Sequence, residues 1–399
     1  MSPFLPKRVK FMNRSKKKIQ LAVVIPTFNR SENLRECIRH FDKQIVPDYV
    51  DLSLVISNTA STDDTSQMLD QLLKSRSDVY LTNTMLDWED GNYGGMLSAL
   101  PAKIDWIWLM GDDDQFFSPN SVSKISKTIA ENANNDNFAF IHACDSKRSK
   151  NTGKLYLDTT FNMCKKFGYL EMLGWFTSLV VRKSEFVQAV AGCEKARQAY
   201  QQYKLADKPY SAFFHSGYFF QYLHKKDAAF LDEPLVCEQS TSDKNKTAER
   251  WRDANTGERY LFIADDFQRL ASENINLVNL PSQFFKYHKY HLWDRLMSFQ
   301  IDATLELAAL NEKTAIGSYL TRFLQNWSRV EFIATMLLKT ETQKWLIITS
   351  RLIKANCLAL LHKPHDENIA KSLKETRELL TLNCYNYHVN FSDVEIFRK

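Results

Sequence analysis

Short apolar runs alternate with apolar residues at helical spacing along the first third of the chain. Runs of this kind predict buried strands, and they cover residues 21–26, 52–57, 79–82, 106–110 and 138–142. Helices are predicted to begin at polar residues that suit a helix N-terminus: Ser31, Ser61 or Thr62, and Ser118. Repeated strand–helix–strand units predict an α/β fold, with a mostly parallel sheet flanked by helices.

The remainder of the chain is mixed at first and then helical. Residues 178–182 predict a strand, and residues 213–223 are rich in aromatic side chains. Long amphipathic helices are predicted at 322–338 and 343–361. We therefore expect three parts: a basic leader that is disordered (1–18), an α/β domain (19–242) and a helical C-terminal region (243–399).

The composition is that of an ordinary globular protein of 399 residues, with 44% hydrophobic and 25% charged residues. The net charge of +5 is mild, so no nucleic-acid partner is predicted. The seven cysteines include no close pair at metal-ligand spacing, which favours reduced thiols. The sequence shows neither a secretory apolar region after the basic leader nor the ~18 apolar residues of a membrane span. We therefore expect a cytoplasmic protein, either soluble or peripheral to a membrane.

Three consecutive carboxylates, Asp112, Asp113 and Asp114, follow the fourth predicted strand. In an extended segment alternate side chains share a side, so Asp112 and Asp114 are expected to converge while Asp113 points away. Two converging carboxylates provide the oxygen ligands that one hard divalent cation prefers, and a substrate phosphate can complete its shell. The alternative is an acidic turn that is simply solvated.

The first predicted strand–helix turn, residues 26–30, contains no glycine fingerprint. A dinucleotide that rests its pyrophosphate on this turn is therefore not expected. If a nucleotide diphosphate binds at these strand ends, the acidic residues and their cation are the group that would neutralise it.

Four segments resemble, in the right order, the motifs of family 2 glycosyltransferases with the GT-A fold. Residues 23–30 resemble the opening motif, 58–65 the second motif, 92–94 the N-x-G segment and 112–114 the D-x-D motif. The resemblance covers roughly residues 20–240 and is nearest to bacterial enzymes that build O-antigen, capsule or lipopolysaccharide, including abequosyltransferase-like members. It implies a nucleotide-binding half before residue 143 and an acceptor-side half after it.

The resemblance also implies roles for individual positions. It places the following residues at the donor nucleotide: Pro26, Thr27, Asn29, Arg30, Asn58, Asn92, Asp112 and Asp113. It makes Asp112 and Asp114 the ligands of Mn²⁺ or Mg²⁺, which would stabilise the leaving diphosphate. Arg30 also suits a surface position at a helix start. Asp63 and Asp64 are expected to stabilise a helix N-terminus.

The general base is open at this level, because many relatives carry it in a Glu–Asp pair well after the acidic triplet, and the corresponding segment here, residues 213–218, contains no acid. The candidates are His215, Glu171 and Asp207. His215 also suits a buried structural position. Trp175 is a candidate for stacking on an acceptor sugar, although it also suits the hydrophobic core.

The resemblance therefore implies a metal-dependent transferase that moves a sugar from a UDP-, CDP-, GDP- or dTDP-linked donor to a growing bacterial surface glycan. The acceptor would be a glycan or a lipid-linked glycan. A catalytically degenerate nucleotide-sugar-binding scaffold is one alternative. A sugar nucleotidyltransferase is another, but it would need a glycine-rich basic phosphate loop, which is absent. The helices at 322–338 and 343–361 suit either the cytoplasmic face of the inner membrane or packing on the domain or a second subunit.

Overall fold

The computed structural model describes residues 18–84, 88–202, 214–239 and 263–275. Its strands are β1 (Ile19–Thr27), β2 (Val50–Thr59), β3 (Val79–Thr84), β4 (Trp106–Leu109), β5 (Asp114–Phe116), β6 (Phe138–Asp145), β7 (Leu155–Thr159), β8 (Leu179–Arg182) and β9 (Asp227–Glu238). Its α-helices are α1 (Ser31–Asp42), α2 (Thr65–Ser75), α3 (Trp88–Ala99), α4 (Ser121–Glu131), α5 (Thr160–Phe167), α6 (Tyr169–Leu173), α7 (Lys183–Gln202), α8 (Phe214–Leu223) and α9 (Ile263–Ser272). A 3₁₀ turn covers Phe176–Ser178.

All nine strands belong to one sheet, in the order β3-β2-β1-β4-β8-β6-β9-β5, with β7 paired to β9. The pairs β1–β2, β1–β4 and β2–β3 are parallel, as is β6–β9. The other four pairings are antiparallel. The predicted α/β fold is confirmed, and its continuous parallel part is the β3-β2-β1-β4 segment that strand–helix alternation indicates.

Strand β1 lies at the centre of that parallel segment, and its alternate residues enter two hydrophobic clusters on opposite faces of the sheet. Ala22 and Val24 belong to one cluster, Leu21 and Val23 to the other, and all four are fully buried. Full burial of a large aliphatic side chain contributes roughly 1.5–3 kcal/mol. Packing on both faces therefore fixes β1, whose carboxyl end carries residues of the first motif.

The carboxyl ends of β1, β2 and β4 meet at one edge of the sheet. Thr27 is opposite Asn58 in the β1–β2 register, and Val24 is opposite Leu109 in the β1–β4 register. Pro26 lies beyond the last residue of β1 that pairs with β4, so its missing N–H costs no ladder bond on that side. This edge carries three of the four recognised motifs.

The predicted helices α1 and α4 are confirmed, whereas no helix was predicted around residue 92. Helix α2 begins at Thr65, three or four residues later than the predicted caps. The N-x-G segment at 92–94 lies within α3, together with Gly95. Packing of α3 against β2, β3 and α7 overrides the weak helix propensity of its glycines. The side chain of Asn92 is outside the described part of the chain.

The described residues include little of the predicted C-terminal region. Only 263–275 are described, and α9 packs there against α8. The helices predicted at 322–338 and 343–361, and residues 1–17 of the leader, lie outside the described residues. Among the helices that the structure describes, none is both long enough and apolar enough to cross a membrane.

Candidate active site

The three carboxylates lie on a tight turn between β4 and β5, which we call the acid turn (residues 111–114). The N–H of Asp114 donates to the carbonyl of Gly111 at 3.1 Å and closes it. The segment is therefore not extended, and the expectation that Asp113 points away from Asp112 is wrong, since both carboxylates contact the same nitrogen of Arg30. The turn instead brings Asp112 and Asp113 together.

Arg30 joins the acid turn to the first motif. Its Nη1 lies 2.8 Å from Asp112 Oδ1 and 2.8 Å from Asp113 Oδ2. The hydroxyl of Thr27, at the end of β1, donates to Asp112 Oδ2 at 2.8 Å. Arg30 lies three residues after the end of β1 and directly precedes the first residue of α1. Two motifs that are 82 residues apart in sequence therefore form one polar cluster.

Asp114 is held from the opposite side by Thr177 of the 3₁₀ turn. The Thr177 hydroxyl donates to Asp114 Oδ2 and accepts the Gly111 N–H at 2.9 Å. A Cβ atom on Gly111 would lie 2.7 Å from Asp114 Oδ2 and 3.0 Å from Asp113 Oδ1. Only glycine at position 111 leaves space for both carboxylates above that Cα.

Burial disfavours the charged form of two carboxylates in the acid turn, those of Asp112 and Asp114. It raises the pKa of Asp112 to about 6, even though the charge of Arg30 acts in the opposite direction. It also raises the pKa of Asp114 well above its ordinary range, and the charge of Asp113 adds to this effect. Burial lowers the pKa of Arg30, but the charges of Asp112 and Asp113 outweigh it and leave that pKa raised. The guanidinium of Arg30 thus faces two of the three carboxylates, those of Asp112 and Asp113.

These residues fit a divalent cation in their chemistry, although Arg30 already contacts two of them. Carboxylate oxygens are the ligands that Mg²⁺ and Mn²⁺ prefer, and a dication would relieve the buried negative charge. Within the described residues, no three His, Cys, Asp or Glu side chains are arranged to hold a metal ion as they stand. A cation at the acid turn would therefore require the carboxylates and Arg30 to rearrange.

Gln239, which follows β9, holds the backbone of the acid turn. Its side-chain Nε2 lies 3.1 Å from the carbonyl oxygen of Asp112 and 3.0 Å from that of Asp114. Its backbone N–H donates to the carbonyl of Asp113 at 3.0 Å. Sequence reasoning missed both Gln239 and Thr177, because neither lies in a recognised motif and each meets the turn through a contact distant in sequence.

Asn29 connects the first motif to the second. Its φ of 52° places it in the left-handed region, which asparagine tolerates better than most residues. Its Oδ1 accepts the backbone N–H of Thr62 at 2.6 Å, and its own N–H donates to Ser61 Oγ at 3.0 Å. The Asn29 side chain thus fixes the two loops relative to each other.

Asn58 is buried and its amide is already engaged. Its Nδ2 donates to Ser66 Oγ at 3.0 Å and to Asn83 Oδ1 at 2.9 Å. Its Oδ1 accepts from Ser61 Oγ at 2.6 Å. Both amide protons therefore stabilise the second motif and β3, and only one lone pair of Oδ1 is left for another donor.

The prediction that Asp63 and Asp64 lie at a helix N-terminus is confirmed. Asp63 Oδ1 accepts the N–H of Thr65, the first residue of α2, at 3.0 Å, and its Oδ2 accepts the N–H of Ser31 at 3.3 Å. Asp64 precedes α2 directly and pairs with Arg35 at 2.6 Å. One carboxylate thus satisfies donors of two helices.

His215 lies in the first turn of α8, against the backbone of Leu173 and Gly174. Burial lowers its pKa to about 4, so the ring is neutral at pH 7. Its Nε2 is buried and has no hydrogen-bond partner in the part of the chain that the structure describes. Phe176 contacts the ring edge-on, with the centroids 6.0 Å apart.

Two of the other predicted site residues, Glu171 and Trp175, lie within α6 and just after it. Glu171 faces Arg148, with 3.5 Å between the carboxylate and the guanidinium. Trp175 is half-buried against the hydrophobic cluster that contains Trp108. It precedes the 3₁₀ turn that carries Thr177. Asp207 lies outside the described residues.

Residues 22–185 match a family model described as glycosyl transferase family 2. This part of the chain is therefore similar to the family 2 glycosyltransferases. The resemblance predicted from the four motifs is thereby confirmed, and the match spans β1 to the start of α7.

Two bacterial relatives are similar to part of the chain. Over 131 residues the chain is 30% identical to abequosyltransferase RfbV of Salmonella typhimurium. This segment is 32% of this chain and 36% of that protein. Over 101 residues it is 30% identical to the GalNAc(5)-diNAcBac-PP-undecaprenol beta-1,3-glucosyltransferase of Campylobacter jejuni. This segment is 25% of this chain and 31% of that protein. The chain thus matches about a third of the length of each relative.

Solved structures are similar at low identity. S. aureus TarS 1–349 in complex with UDP-GlcNAc gives a TM-score of 0.49 and 11% identity over 92% of both chains. The mannosyltransferase PcManGT of Pyrobaculum calidifontis, in complex with GDP-Man and Mn²⁺, gives a TM-score of 0.42 and 13% identity over 92% of this chain and 87% of that chain. Similarities this low support no statement about function.

Proposed function

We propose that the protein transfers one sugar from a nucleotide-sugar donor to a hydroxyl of a growing bacterial surface glycan. The observation that carries the proposal is the polar cluster of Thr27, Arg30 and the acid turn at the carboxyl ends of β1 and β4. In open α/β sheets, ligands bind at this edge. The match of residues 22–185 to glycosyl transferase family 2 and the names of the two relatives support the class of reaction and a bacterial glycan as acceptor.

The donor diphosphate is proposed to lie at the acid turn, with Mn²⁺ or Mg²⁺ held by its carboxylates. When bound, the cation would stabilise the negative charge of the leaving diphosphate. Asp112 and Asp113 are the pair that the turn brings together, so they are the first candidates for ligands, and Asp114 is the next. Thr27 and Gln239 orient the turn through hydrogen bonds to Asp112.

Asn29 and Asn58 are proposed to shape the nucleotide pocket through the loops that they hold. Since both amide protons of Asn58 are used within the protein, a contact with the base would come from Oδ1 or from the loop backbone. Pro26 stiffens the same strand end. The nucleotide itself is proposed to be one of the UDP, CDP, GDP or dTDP class.

His215 is better suited to positioning than to proton abstraction. A general base works best with a pKa near the working pH, and a histidine with a pKa of about 4 is a weak one. Glu171 keeps part of its carboxylate exposed, so among the described residues it is the stronger candidate for the base. Asp207 remains a further candidate from the sequence.

The deciding experiment incubates the protein with a panel of nucleotide sugars and Mn²⁺ or Mg²⁺, and follows release of the nucleotide diphosphate. We expect turnover that EDTA abolishes and that Asp112→Ala and Asp113→Ala reduce by at least about a hundredfold. Asp64→Ala, which removes an exposed carboxylate from the neighbouring loop, serves as the control. Turnover that EDTA leaves unchanged would contradict the metal dependence.

A catalytically degenerate nucleotide-sugar-binding scaffold is the second candidate. The low pKa of His215 and the lack of an acid in residues 213–218 favour it. It predicts saturable binding of a nucleotide sugar by calorimetry without diphosphate release in the presence of any glycan acceptor. Turnover with a single donor would exclude this reading.

A further inference from the structure

We propose that Arg30 is a built-in counter-ion of the acid turn, which a divalent cation must displace before it can bind. The inference rests on the proposed function, because it concerns the same carboxylates. It goes beyond that function by assigning to Arg30 a negative effect on metal affinity. Arg30 would thus govern when the acid turn takes up its cation.

The geometry places a single nitrogen where a shared cation would have to be. Arg30 Nη1 lies 2.8 Å from an oxygen of Asp112 and 2.8 Å from an oxygen of Asp113. A divalent cation of the Mg²⁺ type binds such oxygens at about 2.1 Å. Both carboxylates therefore point at one position, and that position cannot hold the guanidinium and the metal together.

The charge balance makes Arg30 the group that keeps this arrangement stable without metal. Within the described residues, Arg30 is the sole ion-pair partner of Asp112 and of Asp113. The Asp112 side chain is only 4% exposed, so solvent does little to screen it. Removal of the guanidinium would leave two carboxylates facing each other with no counter-charge, and a cation would then bind without a competitor.

Arg30 can leave the carboxylates without unfolding its surroundings. Its backbone precedes α1, next to Asn29, whose side chain fixes the neighbouring loop. Its side chain is 26% exposed, so one end already reaches solvent. Displacement therefore needs a rotation of the side chain and no movement of β1 or α1.

The test measures Mn²⁺ affinity of the full chain by electron paramagnetic resonance of the free ion, without nucleotide or substrate. We expect Arg30→Gln to bind Mn²⁺ at least about tenfold more tightly than the unsubstituted protein. Arg30→Lys, whose single ammonium is a poorer match for two carboxylates, should fall between them. Thermal unfolding followed by circular dichroism verifies that each variant is folded.

Arg35→Gln is the matched control. Arg35 lies one turn further along α1, and its guanidinium pairs with the exposed Asp64. The substitution removes the same charge and leaves the acid turn intact, so the Mn²⁺ affinity should stay within about twofold of the unsubstituted protein. If Arg35→Gln raised the Mn²⁺ affinity as much as Arg30→Gln does, the effect would come from the lower net charge alone, and the inference would be wrong.

Further outcomes separate the inference from the proposed function. If Arg30→Gln binds Mn²⁺ no more tightly, or if neither protein binds it, the inference is wrong, and metal-dependent sugar transfer by the unsubstituted protein would leave the proposed function standing. If Arg30→Gln binds more tightly while no nucleotide sugar is turned over, the counter-ion role holds and the proposed transfer fails.

Discussion

At the scale of single residues, the acid turn depends on a position that has no side chain. Gly111 supplies its N–H to Thr177, and its bare Cα leaves space for the carboxylates of Asp113 and Asp114. Asp114 is buried and hydrogen-bonded to Thr177, so a movement of its carboxylate would break that hydrogen bond. The conformation of the acid turn is thus set by sterics as much as by charge.

We expect Gly111→Ala to lower the free energy of unfolding by about 1–3 kcal/mol, because its Cβ would lie 2.7 Å from Asp114 Oδ2. Urea unfolding measures this change, and Mn²⁺ affinity should fall as the carboxylates move apart. Gly94→Ala in α3 is the control. Its Cβ would meet Glu194 at an ordinary 3.7 Å, so that variant should be neutral or slightly stabilised. Equal effects of the two substitutions would refute the steric role of Gly111.

Asp112 should make the free energy of unfolding fall as the pH rises from about 4 to about 6. Burial raises its pKa from the ordinary 3.8 to about 6 in the folded chain. The folded state therefore binds this proton more tightly, so the stabilisation is complete below pH 3.8 and lost above pH 6. Asp112→Asn should lack this part of the fall, roughly 2–3 kcal/mol.

Urea unfolding at several pH values, with EDTA present, tests the titration of Asp112. The fall should be smaller in Asp112→Asn than in the unsubstituted protein, while Asp64→Asn, which alters an exposed carboxylate, should retain all of it. If Asp112→Asn shows the whole fall as well, the raised pKa belongs to another group.

At the scale of elements, the sequence predicts those strands and helices whose buried residues form a regular apolar pattern along a short stretch of chain. In β1 and β4 nearly every residue is buried, and in α4 Val122, Ile125 and Ile129 recur at helical spacing. Strand β5 has three residues and β9 contains Pro234, so neither gives a local signal. These strands form because partners distant in sequence pair with them.

The same distinction separates the site residues that were predicted from those that were not. Asp112 to Asp114 and Arg30 stand in recognisable motifs, and the structure brings these motifs together. The contact between Arg30 and the acid turn depends on the register of β1 with β4, which no local pattern encodes. Thr177 and Gln239 are ordinary polar residues in sequence and acquire their role only where the sheet brings them to the acid turn.

The end of β9 should act on the acid turn through Gln239. We expect Gln239→Leu to lower the free energy of unfolding by about 1–3 kcal/mol, since it leaves buried carbonyls of Asp112 and Asp114 without their donor. Mn²⁺ affinity should fall as well, although Gln239 carries no charge. Gln188→Leu, on the exposed side of α7, is the control and should change neither quantity. A loss of stability with unchanged Mn²⁺ affinity would show that Gln239 supports the fold alone.

At the scale of the whole molecule, one sheet crosses the proposed nucleotide-binding half and the proposed acceptor-side half. Strand β8 belongs to the acceptor-side half, but it lies between β4 and β6, whose residues that pair with it belong to the nucleotide-binding half. The loop before β8 carries Thr177, so a segment of the acceptor-side half also positions Asp114. Donor and acceptor sides are therefore expected to share one cooperative unit.

Val180 in the middle of β8 tests this cooperativity. It is fully buried and lies opposite Trp108 of β4 and Ile141 of β6. We expect Val180→Ala to lower the free energy of unfolding by roughly 2 kcal/mol and to reduce amide protection in β1, β4, β6 and β9 together, as measured by hydrogen exchange. Val187→Ala on α7, where the side chain is 37% exposed, makes the same change with little loss of packing. Protection lost from β6 and β9 alone would mean that the parts of the sheet on the two sides of β8 unfold separately, and that the geometry of the acid turn does not depend on the strands beyond β8.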